Sequence, residues 1–105
     1  RYWYMSYETE VLADIKRFQD QIDDGEALER LERSPDFKKL IIEGYLHDLV
    51  LNLLYQNNGD NNTEYYQKLD SIKFFKEYLD SIKHLAEVAI TDKPSYEKEL
   101  NNTNQ

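Results

Sequence analysis

Two pairs of side chains have a spacing that could support chemistry. Glu43 precedes His47 by four residues, and Asp80 precedes His84 by the same interval. On an α-helix such pairs share a face, where they can interact or contribute two ligands to a metal ion. Neither pair belongs to an HExxH or a Glu-x-x-His motif, which would supply the remaining ligands. The spacing therefore predicts ordinary pairs on a helix surface, with no metal and no cofactor.

Other catalytic patterns do not appear in the sequence. The chain has no cysteine, so it has no thiol nucleophile and no thiolate zinc site. Its serines lie outside any nucleophile-elbow motif, and no glycine-rich loop is arranged to bind phosphate. Nothing singles out a catalytic pair among the 21 acidic side chains. We therefore predict that the chain is not an enzyme.

The elements that carry these residues are predicted to be helices. A first helix should begin near Ser6, a good N-cap residue, and end at Gly25. Its apolar stripe has spacings of 4, 3 and 4 and consists of Val11, Ile15, Phe18 and Ile22. We expect this stripe to dock on the edge of the core or against another subunit. A short helical piece over residues 26–34 follows.

The third predicted helix spans residues 35–55 and starts with the clearest signal in the chain. Ser34 can cap it, Pro35 suits its first position, and Asp36 suits its positive end. Because apolar residues cover most of its circumference, we expect it to be central. Gly44 inside it suggests close approach by a neighbouring helix of this chain or of a partner. With Tyr45 it is therefore a candidate interaction site.

The fourth predicted helix spans residues 64–90 and contains the word LDSIK twice, ten residues apart. A ten-residue offset rotates one copy about 80° from the other, so the copies cannot form equivalent sites. The signal that remains is a seam with heptad-type spacing, made of Ile72, Phe75, Leu79, Ile82, Ala86 and Ala89. Phe74, Tyr78 and Leu85 should widen it. Leu69, displaced from the seam, should differ in burial from Leu79.

These elements predict an all-α fold: a small helical bundle. The helices at about 35–55 and 64–90 form a long antiparallel hairpin, and the N-terminal helix packs on it. We assign residues 1–5 to a non-native or disordered extension, residues 6–92 to one helical domain, and residues 93–105 to a flexible tail after Lys93-Pro94.

Negative charge is concentrated in the first third of the chain. The net charge is −8, and residues 8–36 contribute ten acidic against four basic side chains. Since duplex-binding proteins usually carry a basic stripe, direct nucleic-acid binding is not expected. The segment is either a solvated surface or a face that binds a basic partner by imitating nucleic acid. The candidate residues for that face are Asp20, Asp23, Asp24 and Glu29.

No secretory leader and no membrane span are predicted. The most apolar run, residues 40–55, is interrupted by charges and is shorter than the ~20 apolar residues of a spanning helix. We expect a protein of a host cytoplasm or of a virion.

One segment resembles a small helical protein type encoded by tailed bacteriophages. It is ALERLERSPDFKKLIIEGYL, residues 27–46, with an Ala-Leu…Leu element, then Asp-Phe, then Ile-x-Glu-Gly-Tyr. The resemblance implies a virion-associated or accessory subunit and carries over no catalytic residue. We expect it to oligomerise, or to bind a phage structural protein, through apolar helix faces. The alternative is an acidic inhibitor of a host or defence protein.

Overall fold

The computed structural model describes the backbone of residues 2–56 and 63–103. Helix α1 spans Tyr2–Glu32 and α2 spans Pro35–Phe37. A π-helix, Lys38–Asp48, leads without interruption into α3, Leu49–Gln56, and α4 spans Thr63–Thr103. No strand occurs in these residues, and the all-α prediction is confirmed.

The chain divides into two compact units. The terminal unit consists of Arg1–Ala27 and Ile82–Gln105, and the central unit of Leu28–Ser81. A single domain over residues 6–92 stays a prediction. Residues 57–62, which lie between the predicted helices at 35–55 and 64–90, are outside the described residues.

The terminal unit is built on contact between α1 and α4. Val11 and Phe18 are buried on α1, and Ala86 and Ala89 are buried on α4. The ring of Phe18 meets the ring of Tyr96 edge to face, with centroids 4.9 Å apart. Packing such rings stabilises the fold because it removes apolar surface from water. The edge-to-face contact adds a further favourable interaction. The packing of the N-terminal helix on α4 is therefore confirmed.

Gly25 permits the closest approach between these helices. A Cβ atom built on Gly25 would overlap the Cβ of Ala86. Because both atoms are attached directly to backbone, neither helix could accommodate a methyl group without moving away. The prediction that Gly25 ends the first helix is wrong: α1 continues through it to Glu32 and absorbs residues 26–32. Contact with α4 outweighs the cost of a helical glycine, about 1 kcal/mol.

Two polar contacts connect α1 and α4 beyond the apolar core. The hydroxyl of Tyr7 donates a hydrogen bond to the Glu99 carboxylate, which raises the pKa of Tyr7 above its ordinary value. This bond is complete while the phenol is protonated and is lost as the pH rises through that raised pKa. Lys93 donates to Gln19 and lies 3.3 Å from Glu97. Both contacts hold the end of α4 against α1.

Pro94 does not end α4. The helix was predicted to stop near residue 90 and to be followed by a flexible tail, but residues 93–103 are helical, so that helix end is wrong. A proline inside a helix removes one backbone hydrogen bond and costs about 3 kcal/mol. Lys93 and Tyr96, on either side of it, contact Gln19 and Phe18, so packing on α1 offsets this cost.

The first helix also begins earlier than predicted. Residues 2–5, assigned to an extension, have helical backbone, and Ser6 lies inside α1 rather than at its N-cap. By contrast, the start at Ser34 is confirmed: its hydroxyl accepts a hydrogen bond from the Phe37 N–H, with Pro35 in the first turn.

The predicted seam of α4 is confirmed by the burial of its residues. Ile72, Ala86 and Ala89 are buried and Leu79 is half-buried, while the acids and lysines of the opposite side are exposed. Leu69 is half-buried like Leu79, so the expected difference between the two is wrong. The physical reason is that Leu69 precedes Ile72 by three residues and therefore shares its face.

Replacing Gly25 with alanine should destabilise the fold. Overpacking typically costs 1–3 kcal/mol, of which the better helix propensity of alanine recovers up to about 1. The double variant Gly25→Ala/Ala86→Gly moves the methyl group to the other helix and should recover much of the loss. Urea unfolding of both variants measures this, and equal losses in the single and double variants would contradict the close approach.

Removing the Phe18 ring should cost far more than removing an exposed apolar side chain of the same helix. Phe18 is only 5% exposed, so Phe18→Ala should lower the free energy of unfolding by about 3–5 kcal/mol. Leu12 on α1 is exposed, and Leu12→Ala should change it by no more than about 0.5 kcal/mol. Thermal unfolding followed by circular dichroism compares them.

Candidate interaction surfaces

Large apolar side chains remain on the surface of residues 38–56. We call five of them the outer set: Leu40, Ile42, Leu49, Leu51 and Leu54. Leu40 is 66% exposed and Leu54 is 53% exposed. Isolated exposed leucines are ordinary, but a concentration of them on one helical segment is typical of a surface that binds another protein.

Residues 35–56 are not buried all round, so the prediction of a buried, central helix is wrong. Leu53 is the one buried side chain of this segment, and the other described residues of 35–56 are half-buried or exposed. The half-buried or buried apolar residues, which we call the inner set, are Phe37, Ile41, Tyr45, Leu46, Val50 and Leu53. The segment therefore has an inner and an outer apolar set, where the sequence suggested burial all round.

The π-helix explains this division. On an α-helix, residues at i, i+4 and i+8 rotate about 40° further at each step. Phe37, Ile41 and Tyr45 have this spacing, so an α-helix would spread them around its circumference. Hydrogen bonds from i to i+5 place more residues in each turn, which keeps this spacing close to one line. The wider turn thus keeps Phe37, Ile41 and Tyr45 on one side of the segment.

Tyr45 and Gly44 have different surroundings from those predicted. Tyr45 is half-buried, and its ring meets Phe75 of α4 edge to face at 5.4 Å. This contact joins the 35–56 segment to α4 within the central unit, as the predicted hairpin requires. A Cβ on Gly44 would lie 3.1 Å from the Lys39 carbonyl oxygen, within its own helix. The helix-to-helix approach expected at Gly44 occurs instead at Gly25.

The predicted stripe on the first helix is largely used inside the chain. Val11 and Phe18 are buried, and Ile15 and Ile22 are half-buried. Of the two alternatives for this stripe, docking on the chain's own core accounts for its burial. It leaves little apolar area for a partner.

The predicted acidic face is on the surface. Asp20, Asp23, Asp24 and Glu29 are all exposed. Asp23 accepts a hydrogen bond from Gln19 at 2.8 Å, and Glu29 pairs with Arg33 at 2.9 Å. Exposed pairs of this kind contribute little to stability, so the carboxylates remain accessible to a basic partner.

Three side chains of α4 that the sequence assigned to its seam form an additional exposed surface. Phe74, Tyr78 and Leu85 are exposed, so the predicted widening of the seam is wrong. Their spacings of 4 and 7 keep them on one face of α4, away from Ile72. The sequence could not predict the exposure of these three side chains. Helical spacing shows which residues share a face, but it does not show which face another helix covers.

The histidine pairs show no metal geometry. The Nδ1 atom of His47 lies 3.0 Å from Oδ1 of the neighbouring Asp48, rather than pairing with Glu43. His84 is exposed. No group of three His, Cys, Asp or Glu side chains that could hold a metal ion occurs in the part of the chain that the structure describes. Across residues 2–56 and 63–103, no helix combines the length and apolar character needed to cross a membrane.

No protein-family model, no curated protein and no solved structure matches the chain.

Proposed function

We propose that this chain is a non-enzymatic assembly protein that binds a second copy of itself through the outer set of residues 38–56. The observation that supports the proposal is the exposure of these five apolar side chains on one continuous helical segment. Burying them in an interface would remove their apolar surface from water. This removal is the main driving force of most protein association.

Charge favours a second copy as the occupant. Residues 38–56 carry two lysines, Lys38 and Lys39, and two acids, Glu43 and Asp48, so their formal charges cancel. A twofold interface places the same patch on both sides and therefore opposes like charges. A neutral patch avoids this repulsion in a chain whose net charge is −8, whereas the acidic residues 8–36 would repel their copy.

The biological setting we propose is that of a virion-associated or accessory subunit of a tailed bacteriophage. Its support is the resemblance of residues 27–46, a segment that includes the start of the π-helix, Gly44 and Tyr45. In this setting the self-associated form would present its remaining apolar surface, such as Phe74 and Tyr78, to a larger structural protein.

Charged substitutions in the outer set should abolish self-association. The double variant Leu40→Lys/Leu54→Lys places two charges where the interface would exclude water, and it should be monomeric at concentrations where the wild type is not. Both side chains are more than half exposed, so the fold should survive. Sedimentation over a dilution series measures the masses.

The matched control is Ala13→Lys/Ala27→Lys, which adds the same charge at two exposed positions of α1. It should associate like the wild type. A wild type that is monomeric at every concentration, or a control that dissociates equally, would reject this interface.

The exposure of all four predicted acids supports a second candidate function, inhibition of a host protein by an acidic face. Carboxylates spaced along a helix surface can take the place of phosphates at a basic site on such a protein. This function needs no self-association, so measuring mass and binding together separates it from the first.

Neutralising the acidic face should remove host-protein binding if this second function holds. The variant Asp20→Asn/Asp23→Asn/Asp24→Asn/Glu29→Gln is compared with Asp70→Asn/Glu77→Gln/Asp80→Asn/Glu87→Gln, which changes net charge equally on α4. Binding to proteins of the host lysate, measured in low and high salt, should be lost in the first variant only. Equal capture by both would reject the acidic face.

A further inference from the structure

Two aromatic side chains of α4 lie uncovered in the central unit. Phe74 is 69% exposed and Tyr78 is 62% exposed. Because they are four residues apart on an α-helix, their rings lie next to each other on one face. The neighbouring Phe75 is half-buried and contacts Tyr45, so Phe75 rather than this pair helps to hold the central unit together. Covering the pair would remove apolar surface from water and so favour a bound partner.

Two acidic side chains lie beside these rings. Asp70 precedes Phe74 by four residues and Glu77 follows it by three, so both acids lie along one edge of the aromatic pair. Both acids are exposed. A rotation of about 100° per residue places the lysines of this part of α4 further round the helix. They are Lys68, Lys73 and Lys76. The face therefore combines exposed rings with negative charge.

The negative charge of this edge is not neutralised within the described part of the chain. Lys73 has the spacing to pair with either acid, since it follows Asp70 by three residues and precedes Glu77 by four. Lys68 pairs with Glu64 at 3.2 Å, whereas neither Asp70 nor Glu77 makes an ion pair with any described residue. Exposed carboxylates of this kind are accessible to Lys or Arg side chains of another protein.

We propose that Phe74 and Tyr78, together with Asp70 and Glu77, bind a basic amphipathic helix of another protein. Residues four apart form a ridge that fits between the side chains of a second helix. Apolar side chains of that helix would cover the two rings, and its Lys or Arg side chains would pair with the two acids. This inference rests on the proposed function for its setting, because it gives the chemistry of the larger structural protein that the subunit would meet.

A second copy of this chain fits the face less well. In a twofold contact through it, Asp70 and Glu77 would meet their own copies and repel them. The outer set lies on a segment with no net charge, so it offers no excess of positive charge either. Since the net charge of the whole chain is −8, charge complementarity favours a basic partner.

Binding of synthetic helices to the full-length protein tests the inference. The probe is an amphipathic peptide of leucine and lysine. One control peptide has glutamate in place of every lysine, and the other has serine in place of every leucine. Calorimetry measures the dissociation constants, and NMR spectra locate the contact. The leucine–lysine helix alone should bind, and it should shift the ring resonances of Phe74 and Tyr78.

Two variants separate the contribution of the rings from that of the acids. Phe74→Gln/Tyr78→Gln should raise the dissociation constant about ten-fold or more, because exposed aromatic anchors dominate such contacts. Asp70→Asn/Glu77→Gln should raise it about two- to five-fold and reduce its salt dependence. All four side chains are exposed, so the fold should survive, and far-UV circular dichroism and the Tyr45–Phe75 ring contact verify this.

The matched control is Leu12→Gln/Ile90→Gln, which removes two exposed apolar side chains of the terminal unit. It should bind the leucine–lysine helix like the wild type. Binding that persists in Phe74→Gln/Tyr78→Gln would overturn the inference. Equal binding of the serine-containing peptide would also overturn it, since it would show a general attraction between a basic peptide and an acidic chain.

Two further outcomes distinguish this inference from the proposed self-association. If Phe74→Gln/Tyr78→Gln abolishes self-association in sedimentation, a second copy is the occupant of this face and the inference is wrong. If the wild type is monomeric at every concentration but binds the leucine–lysine helix at Phe74 and Tyr78, the proposed self-association fails and this binding face is supported.

Discussion

The contact between Gly25 of α1 and Ala86 of α4 is the constraint on which the terminal unit depends. It brings together two stretches of chain separated by the whole central unit, and bringing distant segments together has an entropic cost. Phe18 and Tyr96, together with the bonds from Tyr7 and Lys93, supply the favourable contacts that offset it. The same packing explains why α1 passes through a glycine and α4 through a proline, two residues that ordinarily end helices.

The two units use apolar residues differently. In the terminal unit, apolar side chains of α1 and small residues of α4 are buried together. In the central unit, the 35–56 segment buries Leu53 and leaves the outer set exposed. Stability and the proposed self-association thus depend on different parts of the chain. The proposed interface could change by mutation at Leu40 or Leu54 with little effect on the contacts that hold α1 to α4.

Helical spacing and capping could be predicted from the sequence, and helix ends and coverage could not. Ser34 and Pro35 act through their own backbone and side chains. Their effect, the start of a helix, is therefore local and can be predicted from the sequence. Gly25 and Pro94 act through competition between local preference and packing, and the outcome depends on which distant residue lies opposite. At Gly44 the sequence correctly indicated a crowded position. The neighbouring atom, however, is a carbonyl oxygen of the same helix rather than part of another helix. The exposure of the candidate acids could be predicted because charged side chains rarely lie inside a fold. The division of the 35–56 segment into inner and outer sets could not, because it depends on a helix type that apolar periodicity does not encode.

The pairing of α1 with α4 also affects how the chain folds as it is made. The stripe of α1 leaves the ribosome before Ala86 and Tyr96, which pack against Gly25 and Phe18 of α1 and follow only after the central unit has been synthesised. The contacts of Phe18 with Tyr96 therefore form only after residue 96 has been synthesised, and contacts so distant in sequence form slowly. A truncated chain ending before residue 82 would lack the α4 residues of the terminal unit and would leave the stripe of α1 exposed.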